Sequence, residues 1–364
     1  MCKGVNKLDR PVCAISSIPY QAEKELCGSH HNLRLFMSVV AGCSLFDGVL
    51  LSADCRATIK LPKHPDIHSD NVLKIIAILP HTAIGFAGDI HPASYLIQSL
   101  LAELKNKKRK DPISLANWIP RLFRYRFKKY VTHHGHCIVN FMIASVLRDR
   151  PNIVKRKEIF ELIKTIGFGN SPIKRNWIPS LLFNLLEKSG EKDEWIEVPN
   201  TCRNILYTLY SPTFRKHNIP ILKFTAIGTG KSCIEEIQRY YDVIFSWQPG
   251  NHGQEAMWLR STIQQFIEEK NINDVGGLYP VIKLTGKRDP QHIGLSTEVP
   301  IGGTKIELIF NPDSYQWKQK NITTGKEIPI TMPWDYLKSI KQQIKNNTFN
   351  DLNDAYRDFR GEVH

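Results

Sequence analysis

The chain has 364 residues, with 49 Lys and Arg against 35 Asp and Glu and a formal net charge of +14. Hydrophobic residues make up 42% and charged residues 23% of it, which are globular proportions and exclude a disordered chain. No run of 18 uncharged apolar residues occurs, so the sequence predicts no membrane-spanning helix, and the N-terminal residues lack the apolar segment of a secretory signal. The basic excess fits a nucleic acid, an anionic surface or an acidic partner, and it bears on association rather than on fold.

Eight cysteines are present, and none of them forms a C-x-x-C pair. Their spacings match neither a zinc ribbon nor a dense disulfide framework. We therefore expect reduced thiols in a cytoplasmic protein.

The first ordered elements are predicted to be two hairpins. Residues 1–36 show little periodicity, whereas Ser38 begins a β-branched run that turns at Asp47-Gly48, a strong hairpin signal. A polar, proline-containing loop follows, and residues 74–88 form a second hairpin around Pro80-His81. Both hairpins are so apolar that we expect both faces of each to be covered.

Two helices and a strand follow the hairpins. The first helix is predicted over about 92–108, and the second begins at Asp111-Pro112, where Asp is a suitable N-cap and Pro suits the first helical position. Pro120 is expected to kink or end this second helix. The run CIVNFMIASVL, which ends at Leu147, reads as a buried strand.

The remaining sequence alternates strands with pairs of helices. This order predicts an α+β fold, namely a four-layer αββα sandwich in which two sheets pack face to face with helices outside each. We divide the chain into four parts: a leader, propeptide or mis-annotated start over 1–37, a core over 38–290, a helical insertion within it at about 150–200, and a C-terminal extension over 291–364.

Candidate catalytic residues cluster at the two hairpins. Ser38 is a possible nucleophile, and Asp54 and Lys74 end one strand and begin another. A buried lysine beside a carboxylate can polarise a hydroxyl, and a free α-amino group with a pKa near neutrality can act as base. Gly88 could offer an unhindered backbone N–H to an oxyanion.

The stretch SVVAGCSLFDGVLLSADCRAT resembles the opening of proteasome β-subunits and their bacterial relatives, which are N-terminal nucleophile hydrolases. Asp54 lies sixteen residues after Ser38, and Gly88 lies fourteen after Lys74, which are the spacings of that family. The segment KFTAIGTGKSCIEEIQRYYD is similar to the family's G-S-G segment, with Thr229 where a supporting serine is usual.

The resemblance implies an N-terminal Ser38 that attacks a peptide carbonyl, with Lys74 and Asp54 lowering the cost of the alkoxide and the N–H of Gly88 binding the oxyanion. It implies peptide or protein substrates, a homo-oligomeric ring, and an unfoldase ATPase or a second ring as a possible partner. By the same register the substrate pocket would be apolar, and its lining residues would be Ala57, Val72, Ile76 and Phe86.

Two positions depart from the family pattern. Where proteolytic β-subunits carry an Asp and a Ser, this chain has Ile272 and Val275, although Asn273 or Asp274 could substitute. A catalytically inactive scaffold subunit is therefore the alternative to a peptidase. Met37 precedes Ser38, and our hypothesis is that translation starts at Met37 and that its removal exposes the serine.

Three further signals are weaker. The segment GTGKS at 228–232 lacks the first glycine of a phosphate-binding loop, and the histidines at 133, 134 and 136 lack a second ligand pair. The run RLFRYRFKKY interleaves cations with aromatics as single-strand binders do, but an ordinary amphipathic helix has the same pattern. Nucleic-acid binding is the least favoured of the three functions.

Overall fold

The computed structural model describes residues 38–160 apart from 46–47, 60–66, 108–109 and 149, and residues 195–228 apart from 199–201 and 222. It also describes most of 259–269, then 275–286, 291–293 and 297–298, and finally 305–346 apart from 312–315. The predicted leader 1–37 and most of the predicted insertion lie outside the described residues.

Strands dominate this part of the chain. In chain order they are β1 Val39–Ser44, β2 Gly48–Ala53, β3 Ala57–Ile59, β4 Ile67–Ser69, β5 Ile75–Leu79, β6 Thr82–Gly88, β7 Val139–Leu147, β8 Asn152–Lys155, β9 Trp195–Val198, β10 Arg203–Tyr210, β11 Arg215–Ile219, β12 Phe224–Gly228, β13 Val281–Thr285, β14 Gln291–Ile293, β15 Thr297–Glu298, β16 Lys305–Asn311, β17 Gln316–Asn321 and β18 Glu327–Pro329. The long helices are α1 Ile90–Asn106, α2 Pro112–His134 and α3 Pro333–Asn346.

Two five-stranded antiparallel sheets form the centre of the molecule. The first has the order β12-β1-β2-β13-β14 and the second has the order β11-β10-β7-β6-β5. Strands β1 and β2 of the first sheet lie against β6, β7 and β10 of the second. Both predicted hairpins are confirmed, since Ser44 pairs with Val49 across the first turn and Leu79 with Thr82 across the second.

The interior between the sheets is apolar because these strands are. Every residue of β1 and β2 is buried, which confirms that both faces of this hairpin are covered. Helices α1 and α2 pack on the outer face of the second sheet, against β6, β7 and β10. The α+β class is therefore confirmed, and the described residues show three layers. A fourth, helical layer outside the first sheet remains a prediction.

Helix α2 begins as its sequence indicates but does not end where expected. The carboxylate of Asp111 accepts a hydrogen bond of 2.9 Å from the backbone N–H of Ser114, and Pro112 occupies the first turn. The expectation that Pro120 could end the helix is wrong, because α2 continues to His134. Proline within a helix costs about 3 kcal/mol. Burial of Leu115, Phe123 and their apolar neighbours along the same face, at about 1.5–3 kcal/mol each, outweighs that cost.

Strands β4, β8, β9 and β11 are among the described strands that were not predicted. Residues 67–69, expected in a polar loop, form β4 and pair with β3. Strand β11 pairs with β10 at the sheet edge, and its polar, largely exposed side chains carry no hydrophobic alternation that could have revealed it.

The C-terminal extension is integrated with the core. Strands β15 to β18 form an antiparallel sheet of their own, and α3 packs against α1. Trp317, Ile330 and Tyr336 belong to the same buried apolar cluster as Val72 and Leu73 of the core. No helix among the described residues has both the length and the apolar character needed to cross a membrane.

Candidate active site

The ends of β1 and β2 bring Ser38 and Asp54 together. The backbone N–H of Val39 donates to Oδ1 of Asp54 at 2.8 Å, and the N–H of Asp54 donates to the carbonyl of Val39 at 3.1 Å. These bonds continue the antiparallel ladder, in which Val40 pairs with Ala53. The hydrogen bond from Val39 holds the carboxylate against the residue that follows the predicted nucleophile. Both residues of the predicted site are buried, since Ser38 is 5% exposed and Asp54 is 0% exposed.

Lys74 completes this group from the second sheet. Its Nζ donates to Oδ2 of Asp54 at 2.7 Å and also to the backbone carbonyl of Arg56. The lysine lies just before β5, and its own carbonyl accepts from the N–H of Phe86 at 3.1 Å, which ties it to β6. The two oxygens of Asp54 thus connect an ammonium group to the backbone at Ser38–Val39.

Arg56, two residues after Asp54, orders the backbone around this pair, a role that the sequence pattern did not reveal. Its N–H lies 3.2 Å from Oδ2 of Asp54 and 3.0 Å from the carbonyl of Gly276. Its guanidinium makes a bidentate ion pair with Asp70, at 2.5 Å and 2.9 Å. Both the backbone N–H and the side chain of Arg56 are therefore held in place, and so is its carbonyl, which accepts from Lys74.

The electrostatics follow from burial opposed by pairing. Burial raises the pKa of Asp54, and the ammonium of Lys74 and the N–H of Val39 oppose that rise. Burial alone would lower the pKa of Arg56, but the hydrogen bonds and charge of Asp70 reverse this and raise it. Lys74 and Asp54 satisfy each other in an environment where either charge alone would be costly.

Two glycines let the end of β6 approach the predicted nucleophile. Gly228 has φ of 74°, and a Cβ there would overlap the carbonyl oxygen of Ser38 and lie 2.8 Å from Cβ of Ala87. Gly88 follows Ala87 with φ of 99°, and a Cβ at this position would overlap the carbonyl oxygen of Ile138. The backbone at both positions therefore requires glycine.

The backbone beyond Gly88 is held by the next residue. Asp89 donates from its N–H to the carbonyl of Ile138 at 2.7 Å, and its Oδ2 accepts from the N–H of Ile138 at 2.8 Å. The carboxylate makes no side-chain capping bond to helix α1, which begins here. Instead it fixes the peptide that follows the predicted oxyanion donor.

The predicted substrate-binding residues are all buried in the apolar core. Ala57, Val72, Ile76 and Phe86 are between 0% and 6% exposed and belong to the same apolar cluster. Two of them are hydrogen-bonded through their backbone to residues of the candidate site: the N–H of Val72 donates to the carbonyl of Cys55, and the N–H of Phe86 donates to the carbonyl of Lys74. Their role in substrate binding remains a prediction.

The remaining predicted positions are only partly described. Thr229, Ile272, Asn273 and Asp274 lie outside the described residues. Val275 is described and is 1% exposed, with an aliphatic side chain that cannot donate or accept a hydrogen bond. Its neighbour Gly276 contributes through its backbone, because its carbonyl accepts from both Cys55 and Arg56.

The described residues offer no alternative centre based on a metal. Among them no group of three or more His, Cys, Asp and Glu side chains could hold a metal ion. The histidines near the end of α2 do not form such a group either. Of the described cysteines, Cys55 and Cys137 are free thiols. The described residues instead place Ser38 beside the buried pair of Asp54 and Lys74. Gly88, with its positive φ, ends the neighbouring strand β6.

Comparison with known families agrees with this geometry. Residues 38–157 match the family model described as proteasome subunit. The matched proteasome-subunit segment contains Ser38, Asp54, Lys74 and Gly88, and it ends before β9. No curated protein matches the chain significantly.

Proposed function

We propose that this chain is a proteasome-like peptidase that hydrolyses peptide bonds with Ser38 as an N-terminal nucleophile. The observation that carries the proposal is the bridging carboxylate of Asp54, which binds the N–H of Val39 with one oxygen and Nζ of Lys74 with the other. The family match over residues 38–157 supports peptide or protein substrates and assembly into a ring.

The reaction begins with attack by the Ser38 hydroxyl. The α-amino group of Ser38, with a pKa of about 7.7–8.0 in unperturbed chains, accepts the hydroxyl proton through a water molecule. Oγ then bonds to the peptide carbonyl carbon. Lys74, held by Asp54, stabilises the developing negative charge on Oγ, and no metal or organic cofactor takes part.

The tetrahedral intermediate carries its negative charge on the former carbonyl oxygen. The N–H of Gly88 donates to this oxyanion, and one such donor contributes about 10²–10³-fold to the rate. The C–N bond then breaks and the amine leaves with the proton. Water hydrolyses the resulting ester and regenerates the hydroxyl of Ser38.

The mechanism requires a free amine on Ser38, so Met37 must be removed. Methionine before a small residue is a substrate of methionine aminopeptidase, and a chain translated from Met37 would expose the serine without further processing. We propose a cytoplasmic, homo-oligomeric ring in which an unfoldase ATPase or a second ring could deliver substrates. The apolar residues Ala57, Val72, Ile76 and Phe86 would then favour small or hydrophobic side chains before the scissile bond.

The second candidate function is an inactive scaffold subunit. Buried Val275, at a position where proteolytic relatives carry a serine, is the observation that favours it. Labelling of the nucleophile separates the two functions.

The experiment uses protein that begins at Ser38 and an epoxyketone or β-lactone probe. We expect a covalent adduct on Ser38, identified by intact mass and peptide mapping, and loss of both adduct and peptide hydrolysis in Ser38→Ala. Ser44→Ala, at the other end of β1, is the matched control and should still be labelled.

The outcome that contradicts the proposal is equally definite. If Ser38 forms no adduct and Ser38→Ala hydrolyses peptides as fast as the unmodified protein, the scaffold function replaces the peptidase. The intact mass of natively expressed protein tests the start site, since a species beginning at Met1 would refute translation from Met37.

A further inference from the structure

The C-terminal extension reaches the segment that leads into Lys74. Thr331 donates from its N–H to the carbonyl of Asn71 at 2.8 Å, and its carbonyl accepts from the N–H of Leu73 at 2.9 Å. Val72, between them, forms a parallel bridge with Thr331. Residues 71–73 are therefore held by a part of the chain that lies outside the matched segment 38–157.

Side chains reinforce this contact at Asn71. Its Nδ2 donates to the carbonyl of Pro329 at 2.8 Å and lies 3.4 Å from Oγ1 of Thr331. Its Oδ1 accepts from Nε2 of Gln319 at 2.7 Å. Gln319 is fully buried on β17, where a polar side chain requires partners. Asn71 thus connects the core to two strands of the C-terminal sheet, which comprises β15 to β18.

The opposite side of the same segment faces the catalytic group. Val72 donates from its N–H to the carbonyl of Cys55 at 2.9 Å, and Cys55 lies between Asp54 and Arg56. Asp70, directly before Asn71, makes the bidentate ion pair with Arg56. Lys74 directly follows Leu73 in the chain. The short run 70–73 is consequently fixed by the site on one side and by the extension on the other.

We propose that Asn71 and Gln319 are positioning residues for Lys74, so that the C-terminal extension is a working part of the catalytic site. The inference rests on the proposed function, in which Nζ of Lys74 must stay between Asp54 and the nucleophile. Neither residue touches the reacting atoms. Both act through the backbone of residues 71–73, whose position determines where the lysine side chain begins.

The first experiment compares Asn71→Ala and Gln319→Met with the wild type, using protein that begins at Ser38. We expect kcat for peptide hydrolysis to fall by about 10- to 100-fold in Asn71→Ala, because small displacements of a catalytic group cost rate rather than substrate affinity. KM should stay unchanged. Gln319→Met removes one of the bonds to Asn71 with little change of volume, so its kcat should fall less.

Lys318→Ala is the matched control. Lys318 neighbours Gln319 on β17, but its side chain is partly exposed and pairs with Glu327 at 3.3 Å rather than with Asn71. The control removes a polar contact from the same strand without affecting Asn71. Its kcat should equal that of the wild type.

A second measurement follows Lys74 without relying on activity. Acetic anhydride labelling, quantified by mass spectrometry, reports the accessibility of each lysine. The side chain of Lys74 is 3% exposed in the wild type and should label slowly. We expect its labelling rate to rise about 10-fold or more in Asn71→Ala and less in Gln319→Met, and to be unchanged in Lys318→Ala.

The outcomes separate this inference from the proposed function. If the wild type fails to label Ser38 yet Lys74 becomes accessible in Asn71→Ala, the function fails and the positioning role stands. If Asn71→Ala and Gln319→Met match Lys318→Ala in both kcat and Lys74 labelling, or raise KM alone, the inference is overturned. If Asn71→Ala does not fold, Gln319→Met provides the same test. That variant should fold, because Asn71 is partly exposed and its Oδ1 can accept from water once Gln319 is replaced.

Discussion

Asp54 is the residue on which the site depends, because its two oxygens serve different partners. Oδ1 accepts from the backbone beside Ser38, and Oδ2 accepts from Lys74 and the N–H of Arg56. The ion pair is buried, with side-chain exposures of 3% for Lys74 and 0% for Asp54. Such a pair is costly to break, because the charge that remains has lost its partner but cannot reach water.

We therefore expect Lys74→Met to lower the free energy of unfolding by about 3–5 kcal/mol, measured by urea denaturation. The double variant Asp54→Leu/Lys74→Met should recover only part of that loss, because apolar groups can replace the buried pair but leave the N–H of Val39 without its carboxylate acceptor. Arg126→Ala removes a solvent-accessible ion pair with Glu103 and should cost less than about 1 kcal/mol. Equal losses in Lys74→Met and Arg126→Ala would contradict the burial argument.

At the scale of elements, the three long helices of the described residues approach one another near His91. This residue lies in the first turn of α1. Its Nδ1 lies 3.0 Å from the hydroxyl of Tyr130 on α2, and its ring lies 6.4 Å from that of His134. Burial, together with the charges of Lys341 on α3 and of His134, lowers the pKa of His91 to about 4. The packing of the helices thus favours the neutral imidazole.

The pH dependence of stability follows from this shift. An unfolded histidine has a pKa of about 6.5, so between pH 6.5 and pH 4 the unfolded chain binds a proton that the folded protein excludes. The free energy of unfolding is therefore unaffected by protonation of His91 above about pH 6.5. As pH falls toward 4, protonation of this histidine in the unfolded chain lowers the free energy of unfolding by up to about 3 kcal/mol. His91→Phe should therefore show a smaller decrease in the free energy of unfolding than wild type over this range.

Denaturant titrations at several pH values measure this difference. His133→Gln is the control, since His133 lies on the exposed side of α2 near its end, and its profile should follow the wild type. Identical slopes for wild type and His91→Phe would show that His91 is protonated in the folded protein.

At the scale of the whole molecule, the extension and the sheets share one apolar interior. Trp317 of β17 is 2% exposed and lies in the same cluster as Ile75 of β5 and Ile84 of β6. Shared side-chain packing couples the stability of elements that are distant in sequence. The C-terminal sheet should therefore unfold together with the core rather than as a separate domain.

Trp317→Ala tests this coupling. We expect a loss of about 3–5 kcal/mol, and hydrogen exchange should become faster in β5 and β6 as well as in β16 and β17. Ile322→Ala, at a position that is 47% exposed in the turn after β17, should change neither. Faster exchange confined to residues 305–346 would mean that the extension unfolds independently.

The amino-acid sequence by itself determined the local elements and the spacing of the candidate catalytic residues. Hydrophobic runs and the Asp47-Gly48 turn predicted the first hairpin, and a hairpin of that register necessarily places Asp54 opposite Val39. The resemblance carried by Ser38, Asp54 and Lys74 is confirmed by the family match over 38–157. Local patterns sufficed here because the interacting residues are close in the chain.

Only the tertiary structure decided the contacts that surround this group. Gln319 and Asn71 are 248 residues apart, and neither lies in a pattern that predicts the other. No sequence pattern pairs Asp70 with Arg56, or Gly276 with Cys55, either. These contacts form because separate strands pack against each other. Hydrophobic periodicity specifies which face of an element is buried, whereas the polar partner that a buried group finds depends on which elements meet.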